Sequence, residues 1–335
     1  MTVNWRSRTA CRAERRQGRA LLHDTRMLNL VYGGLNSSGT TPMPQAHFNA
    51  IRALGATGVR VGPRWNHIEP TLGAGIDTTK ILTVVRRAAA AGLQVEIELH
   101  HTGTSSFPAG ASTAVMLDTV RDDSLAAVRS LAKIAVSEQN VIAVGTANEI
   151  TDTSLANTIV GVNLTLEREI RRAGWDGIVL GMVLAGQNTN GGSWAPFIDA
   201  HPLNMCEVHW YFGGGHADGF GSVQASGGRF ASQGIYVDDG VTALGAATAA
   251  QFQAHMQRWF NMPGVHPKKV WVGEWGIGLD LAGAAKFVDL LRAEMRARGI
   301  GHAWWRNVDA GSKMAIFRTG DSTGPHALAR QIFAP

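Results

Sequence analysis

Eight short apolar runs, separated by stretches with helical periodicity, constrain this fold more than any other feature of the sequence. The runs lie at 29–34, 58–62, 93–100, 141–148, 177–184, 203–211, 269–275 and 299–305. Most are rich in Val and Ile, which favour the pleated conformation, and all are of strand length. Helix patterns occupy 44–54, 79–91, 121–138, 153–173, 248–262, 281–298 and 325–333. The fifth connection carries little helical signal apart from SWAPFIDA at 193–200. Gly92, Gly174 and Gly299 each close an alanine-rich or basic helical stretch, where a left-handed C′ residue is expected. Eight strands alternating with helices predict a single-domain α/β fold, a (β/α)8 TIM barrel, over residues 30–335.

The charge distribution narrows the partners. Residues 1–29 hold seven arginines against Glu14 and Asp24, which accounts for the whole formal charge of +5. The remainder is balanced, so the globular body offers no electrostatic case for a polyanion. Residues 1–29 are therefore expected to be a basic, poorly ordered leader, although an arginine-rich arm of this kind can also touch nucleic acid or anionic lipid. No h-region follows the basic start, so no signal peptide is recognisable. No apolar run reaches the ~18 residues of a membrane span. Cys11 and Cys206 are unsuited to a structural disulfide, and Cys206 reads as a small buried hydrophobe. Neither a nucleic-acid nor a membrane partner is expected, and the expected state is a monomer. Residues 212–247, rich in Gly, Ser and Asp, form an unusually long connection after the sixth strand. In a barrel such a segment overlies the active face.

Barrel enzymes draw their catalytic groups from the C-terminal strand ends. Those ends carry Arg60, His100 and His101, Asn148 and Glu149, His209 and Tyr211, Glu274, and Trp304 and Trp305. The strand starts are far poorer in polar and aromatic groups. Glu149 and Glu274 matter most, because a carboxylate at the end of a buried strand is costly unless paired or working. Two carboxylates converging across a small gap are what glycosidic bond cleavage requires.

Taken in order, VRV with Arg60, ELHH with His100, ANE, VHWY, GEWG and AWW resemble glycoside hydrolase family 5, the cellulase-like members of the retaining (β/α)8-barrel clan. The resemblance spans roughly residues 30–310. It implies Glu149 as general acid/base and Glu274 as nucleophile, with carboxyl groups ~5–5.5 Å apart. By the same resemblance Arg60 and Tyr211 hold Glu274 ionised and aimed. Asn148 bonds the sugar 2-hydroxyl, and His100, with His101 beside it, and His209 position the sugar. One of Trp304 and Trp305, with Trp305 favoured, forms the floor beneath it. The activity implied is endo-hydrolysis of a β-linked polysaccharide, glucan or mannan, without cofactor or metal. Secretion is what that substrate class implies. Two positions depart from the family pattern and bear on subfamily: Arg306 stands where an acidic or small residue is common, and strand three reads Glu-Leu-His instead of Asp-Leu-His.

Competing readings follow from the same residues. Glu96, Glu98 and Glu207 alternate with His100 and His209 and are expected to form a structural ionic network with Arg60 or Arg64. His100 and His101 face opposite ways on a strand, which is poor metal-ligand geometry. Trp65 is expected in the core, while Trp194, Trp210 and Trp275 are open between core and sugar platform. A non-catalytic carbohydrate-binding barrel, or a polysaccharide-recognition module of a larger assembly attached through residues 1–29, is the rival function.

Overall fold

The computed structural model describes residues 22–36, 38–69, 75–100, 121–149, 158–183, 193–211, 262–279, 284–308, 314–317 and 324–335. Eight parallel strands close into a barrel in sequence order: β1 (Arg26–Leu30), β2 (Gly58–Val61), β3 (Gln94–Ile97), β4 (Val141–Gly145), β5 (Ile178–Met182), β6 (Asn204–Tyr211), β7 (Val270–Gly276) and β8 (His302–Trp304). Closure is made where β1 pairs with β8, Met27 opposite Ala303 and Leu28 opposite Trp304. The predicted (β/α)8 architecture is the one observed.

The described helices are α1 (Gln45–Ala53), α2 (Trp65–Ile68), α3 (Thr79–Ala90), α4 (Arg121–Ser137), α5 (Ile159–Arg172), α6 (Ala195–Ala200), α7 (Ala284–Arg298) and α8 (Ala329–Phe333). Their apolar stripes face the sheet. In α3 the buried side chains are Ile81, Val84, Val85 and Ala88, spaced as one helical face. In α7, Ala284, Phe287, Val288, Leu291 and Met295 repeat that spacing. Gly92, Gly174 and Gly299 all take positive φ beyond their helices, as expected of C′ residues. The helix expected at 248–262 and the long connection 212–247 lie outside the described residues, apart from Met262.

Strand alternation sorts the side chains into two layers. Val59, Val61, Val95, Ile97, Val144, Cys206, Val208 and Val272 point outward and pack under the helices. Burial of each such side chain contributes about 1.5–3 kcal/mol. Cys206 is buried and free, as its sequence context predicts. Inside the barrel, Met27, Ala143, Ile178, Leu180, Met205, Trp271 and Ala303 fill the lower layer. The layer above them is polar.

The first strand corrects the expected boundary at residue 29. It runs over Arg26–Leu30, and Met27 and Leu28 are fully buried, so residues 22–29 belong to the barrel. Leu and Met in place of β-branched residues, next to an arginine-rich stretch, obscured it. The expected continuation to residue 34 is replaced by a 3-10 turn at Val31–Gly33, where Tyr32 adopts φ 55.

Candidate active site

The polar layer is a direct product of period-two alternation. Arg60 on β2, Glu96 on β3 with Glu98 just beyond it, and Glu207 on β6 face the barrel axis, each no more than 1 % exposed. His209 follows Glu207 by two and faces the same way. On β7 the pairing with β6 slips between Val208 and His209, which sets His209 opposite Glu274. This irregularity brings both Gly273 and Glu274 to the interior, an effect typical of bulges beside functional sites. A Cβ at 273 would lie 1.7 Å from Glu207 Oε1, so glycine there leaves the Glu207 carboxyl group its place. Gly145 is similarly confined, its virtual Cβ 2.8 Å from Glu98 Cβ.

Arg60 is the hub. Its guanidinium pairs with Glu98 at 2.6 Å, Glu274 at 2.8 Å and Glu207 at 2.9 Å, with Glu96 more distant at 3.4 Å. It also donates to Asn29 Oδ1 and Asn148 Oδ1, both at 2.9 Å. The glutamates thus form the predicted network with Arg60, and Arg64 takes no part in it.

Burial and charge divide the carboxyl groups. Burial, reinforced by Glu207, raises Glu96 well above the usual carboxylate range. Burial likewise raises Glu207 despite Arg60. At Glu98 burial is outweighed by Arg60 and by the His100 hydrogen bond, which lower it. His209 is desolvated, which alone would lower it, but Glu274, Glu149 and Glu207 surround it and push it up to about 10. At neutral pH it is therefore an imidazolium among carboxylates.

Glu149 and Glu274 meet across this imidazolium. His209 Nδ1 lies 2.6 Å from Glu149 Oε1 and 3.6 Å from Glu274 Oε2, and Nε2 lies 3.3 Å from Glu207 Oε1. One polar atom each of Glu149, His209 and Glu274 falls within a 4.8 Å span. The side chain of Glu274 is 2 % exposed and that of Glu149 12 %, so Glu149 is the more open. Glu149 also has φ 37, a left-handed conformation that a glutamate adopts only when its surroundings enforce it. The trio has the composition of a metal site.

A cavity of about 160 Å³ adjoins the carboxylates, lined by Asn29, Leu30, Tyr32, Arg60, Gly62, Arg64, His100, Trp305 and Arg306. The Trp305 indole and the His100 imidazole are parallel within 8°, their centroids 6.0 Å apart. His100 is fixed by Glu98 at 2.9 Å and sits 3.4 Å from Asn148 Nδ2.

Of the residues expected at the site, Arg60, His100, Asn148, Glu149, His209 and Glu274 are brought together, and Trp305 lines the cavity. Trp304 is not at the site. It is fully buried, donates to the Met314 carbonyl at 2.9 Å and packs edge-on against Trp275. Strand alternation explains this, since neighbouring residues face opposite sides of the sheet. Trp65, Trp194 and Trp275 are likewise core residues. His101 and the side chains of Trp210 and Tyr211 lie outside the described residues. Asn29 was missed from sequence. It donates to the Gly273 carbonyl at 2.9 Å and accepts from Arg60, locking β1 to β7 and the hub. A strand begun at Arg26 would have revealed it as an inward polar residue two beyond Met27. Tyr32 was missed too, since nothing in sequence marks its left-handed backbone.

Comparison with known proteins completes the picture. The family model described as cellulase, glycosyl hydrolase family 5, matches residues 29–311. No curated protein sequence matches the chain. Among solved structures, a broad-specificity endoglucanase from Clostridium acetobutylicum superposes with TM-score 0.71 at 15% identity, covering 94% of this chain and 99% of that one. A structure described as an endoglucanase gives 0.65 at 18%, covering 94% and 100%. A hyperthermophilic endo-β-1,4-glucanase in complex with substrate gives 0.64 at 16%, covering 95% and 99%. At these identities the superpositions establish the shared barrel.

Proposed function

The chain belongs to glycosyl hydrolase family 5 and is a glycoside hydrolase, and on that premise we propose that it cleaves a β-linked glucan backbone internally, with retention of configuration. The observation that carries this reading is the approach of Glu149 and Glu274 within a 4.8 Å span around His209. Retaining enzymes need that proximity, because the second carboxylate attacks the sugar directly and no water has to fit between.

In the first step a Glu274 oxygen attacks the anomeric carbon. The glycosidic C–O bond breaks, and the leaving oxygen takes its proton from Glu149. In the second step Glu149 removes a proton from water, the water oxygen attacks the same carbon, and the bond to Glu274 breaks. Arg60, 2.8 Å from Glu274, orients the nucleophile and favours its return as a carboxylate. Asn148, its Oδ1 held by Arg60, turns Nδ2 toward the sugar 2-hydroxyl. Trp305 provides an apolar floor. The glucan preference takes support from the endoglucanase neighbours; mannan is the alternative backbone.

Reducing-sugar release on soluble β-glucans, mannans and xylans tests the proposal, with Glu274→Gln as control and NMR of the first anomer formed. Turnover on a glucan, lost in the variant and giving the β-anomer first, is the expected result. Release of the α-anomer, or undiminished turnover in Glu274→Gln, refutes it.

A further inference from the structure

Asn29 has no part in the steps above, yet it bonds to both groups that aim the nucleophile. It lies on β1 opposite Arg60 of β2, lines the cavity beside the carboxylates and is 2 % exposed. Its side chain reaches past β8 to β7. There Nδ2 donates to the Gly273 carbonyl at 2.9 Å, and on β8 to the Trp304 carbonyl at 3.3 Å. Oδ1 accepts from Arg60 Nη1 at 2.9 Å, the same nitrogen that lies 2.8 Å from Glu274 Oε1. We infer that Asn29 is a positioning residue for the nucleophile, acting through the Gly273–Glu274 peptide and through Arg60. This inference rests on the glycosidase reading and adds to it a residue that the reacting atoms never touch.

The backbone of β7 calls for such a clamp. From Val272 to Glu274 it advances two residues while β6 advances one, from Val208 to His209. From Val272 to Trp275 it advances three while β8 advances two, from His302 to Trp304. β7 thus carries one residue more than either neighbour, a bulge that turns Glu274 toward the barrel axis. A bulge disrupts the ladder, and a buried carbonyl there is stabilised by a donor from elsewhere. The Gly273 carbonyl belongs to the peptide whose nitrogen is that of Glu274, so the bond from Asn29 fixes the plane from which the nucleophile departs. Through Arg60 Nη1 the same side chain fixes the carboxylate end as well. Asn29 also holds the sugar floor on both sides of Trp305, since Nδ2 bonds the Trp304 carbonyl and its own carbonyl accepts from Asn307 N at 3.0 Å. An aspartate would keep the acceptor for Arg60 but turn a carboxylate oxygen toward two carbonyls, where the amide places its donors.

The test labels the full chain with a dinitrophenyl 2-fluoro-β-glycoside of the backbone that the protein cleaves. A Glu274 oxygen bonds to the anomeric carbon and the bond to dinitrophenolate breaks. This leaving group departs without a proton, so the labelling rate reports the nucleophile independently of Glu149. In Asn29→Ala and in the isosteric Asn29→Asp the first-order labelling rate should fall about a hundredfold, the cost of displacing a reacting group by about 1 Å. The binding constant of the glycoside should change far less. Asn204→Ala is the comparison, a buried asparagine at the opposite end of the barrel whose Nδ2 donates to the Phe197 carbonyl at 2.9 Å and whose Oδ1 accepts from Arg171 at 2.8 Å. It should lower the melting temperature as Asn29→Ala does and keep the wild-type labelling rate. A wild-type rate in either Asn29 variant, a loss confined to the binding constant, or equal rate losses in Asn29→Ala and Asn204→Ala overturns the inference and leaves the glycosidase reading intact. Absence of both labelling and turnover in the folded wild-type protein overturns both.

Discussion

Replacing Arg60 with methionine removes the one cation that the buried glutamates share while roughly preserving volume. In the native protein Arg60 is 1 % exposed and touches Glu98, Glu207 and Glu274 within 2.9 Å. Burial raises Glu96 and Glu207, so the anion stranded most severely is Glu98, which Arg60 holds below its usual range. Stripping one partner from a buried ion pair costs about 3–5 kcal/mol. The Oδ1 atoms of Asn29 and Asn148 lose their donor as well, so the upper half of that range is expected at pH 7.5. Proton uptake offers relief. With Arg60 gone, burial raises Glu98 above its unfolded value, so the variant loses stability as pH rises through that window and regains it as pH falls. One proton taken up between pH 7.5 and 5.5 recovers up to about 2.7 kcal/mol. Native Glu98 behaves oppositely: its lowered value gives stability that is present above the unfolded value and lost only below it. The gap between the two proteins must therefore narrow on acidification. Guanidinium denaturation followed by tryptophan fluorescence at pH 7.5 and 5.5 measures it. A loss under 1 kcal/mol, or a gap that is independent of pH, refutes the charge assignment.

The two tryptophans of β8 should separate cleanly. Trp304→Ala empties a fully buried site and should cost about 3–5 kcal/mol by denaturation, whereas Trp305→Ala should leave the melting temperature nearly unchanged and raise KM about tenfold. Equal stability losses would place Trp305 in the core and remove it from the sugar floor. Gly273→Ala puts a Cβ into the Glu207 carboxyl group, which must then leave Arg60 and His209. A destabilisation of about 1–3 kcal/mol is expected, partly reversed by Glu207→Ala in the same chain. A fully stable and active Gly273→Ala protein would show that Glu207 moves aside freely and that the network does not constrain the site.

The barrel was legible because its outward layer obeys simple periodicity. Val59 and Val61, or Ile81, Val84, Val85 and Ala88, announce strand and helix faces by spacing alone. Where the signal weakened, the reason is physical. The strand Arg26–Leu30 is stabilised by pairing on both sides and by burial of Met27 and Leu28, neither of which shows in a run that lacks β-branched residues. Val31–Gly33 reads as its continuation, but the close approach of Gly33 to Pro63 turns the chain instead. Long-range packing decided both boundaries.

At the site, which residues converge was legible and how their charges are set was not. Alternation brings Glu96, Glu98 and Glu207 to one face, yet the direction in which each is shifted depends on burial and on distances to a single guanidinium from another strand. His209 illustrates the consequence. As a neutral ring it would accept a hydrogen bond or ligate a cation. Held as an imidazolium between Glu149, Glu207 and Glu274, it can only donate, and its charge offsets the repulsion between the paired carboxylates. The buried glutamates below the site thus act beyond packing, because they help hold the proton on His209 that lets Glu149 and Glu274 stand this close. On the proposed mechanism, a glutamine at position 207 should therefore lower the alkaline limit of activity without moving Glu149 or Glu274.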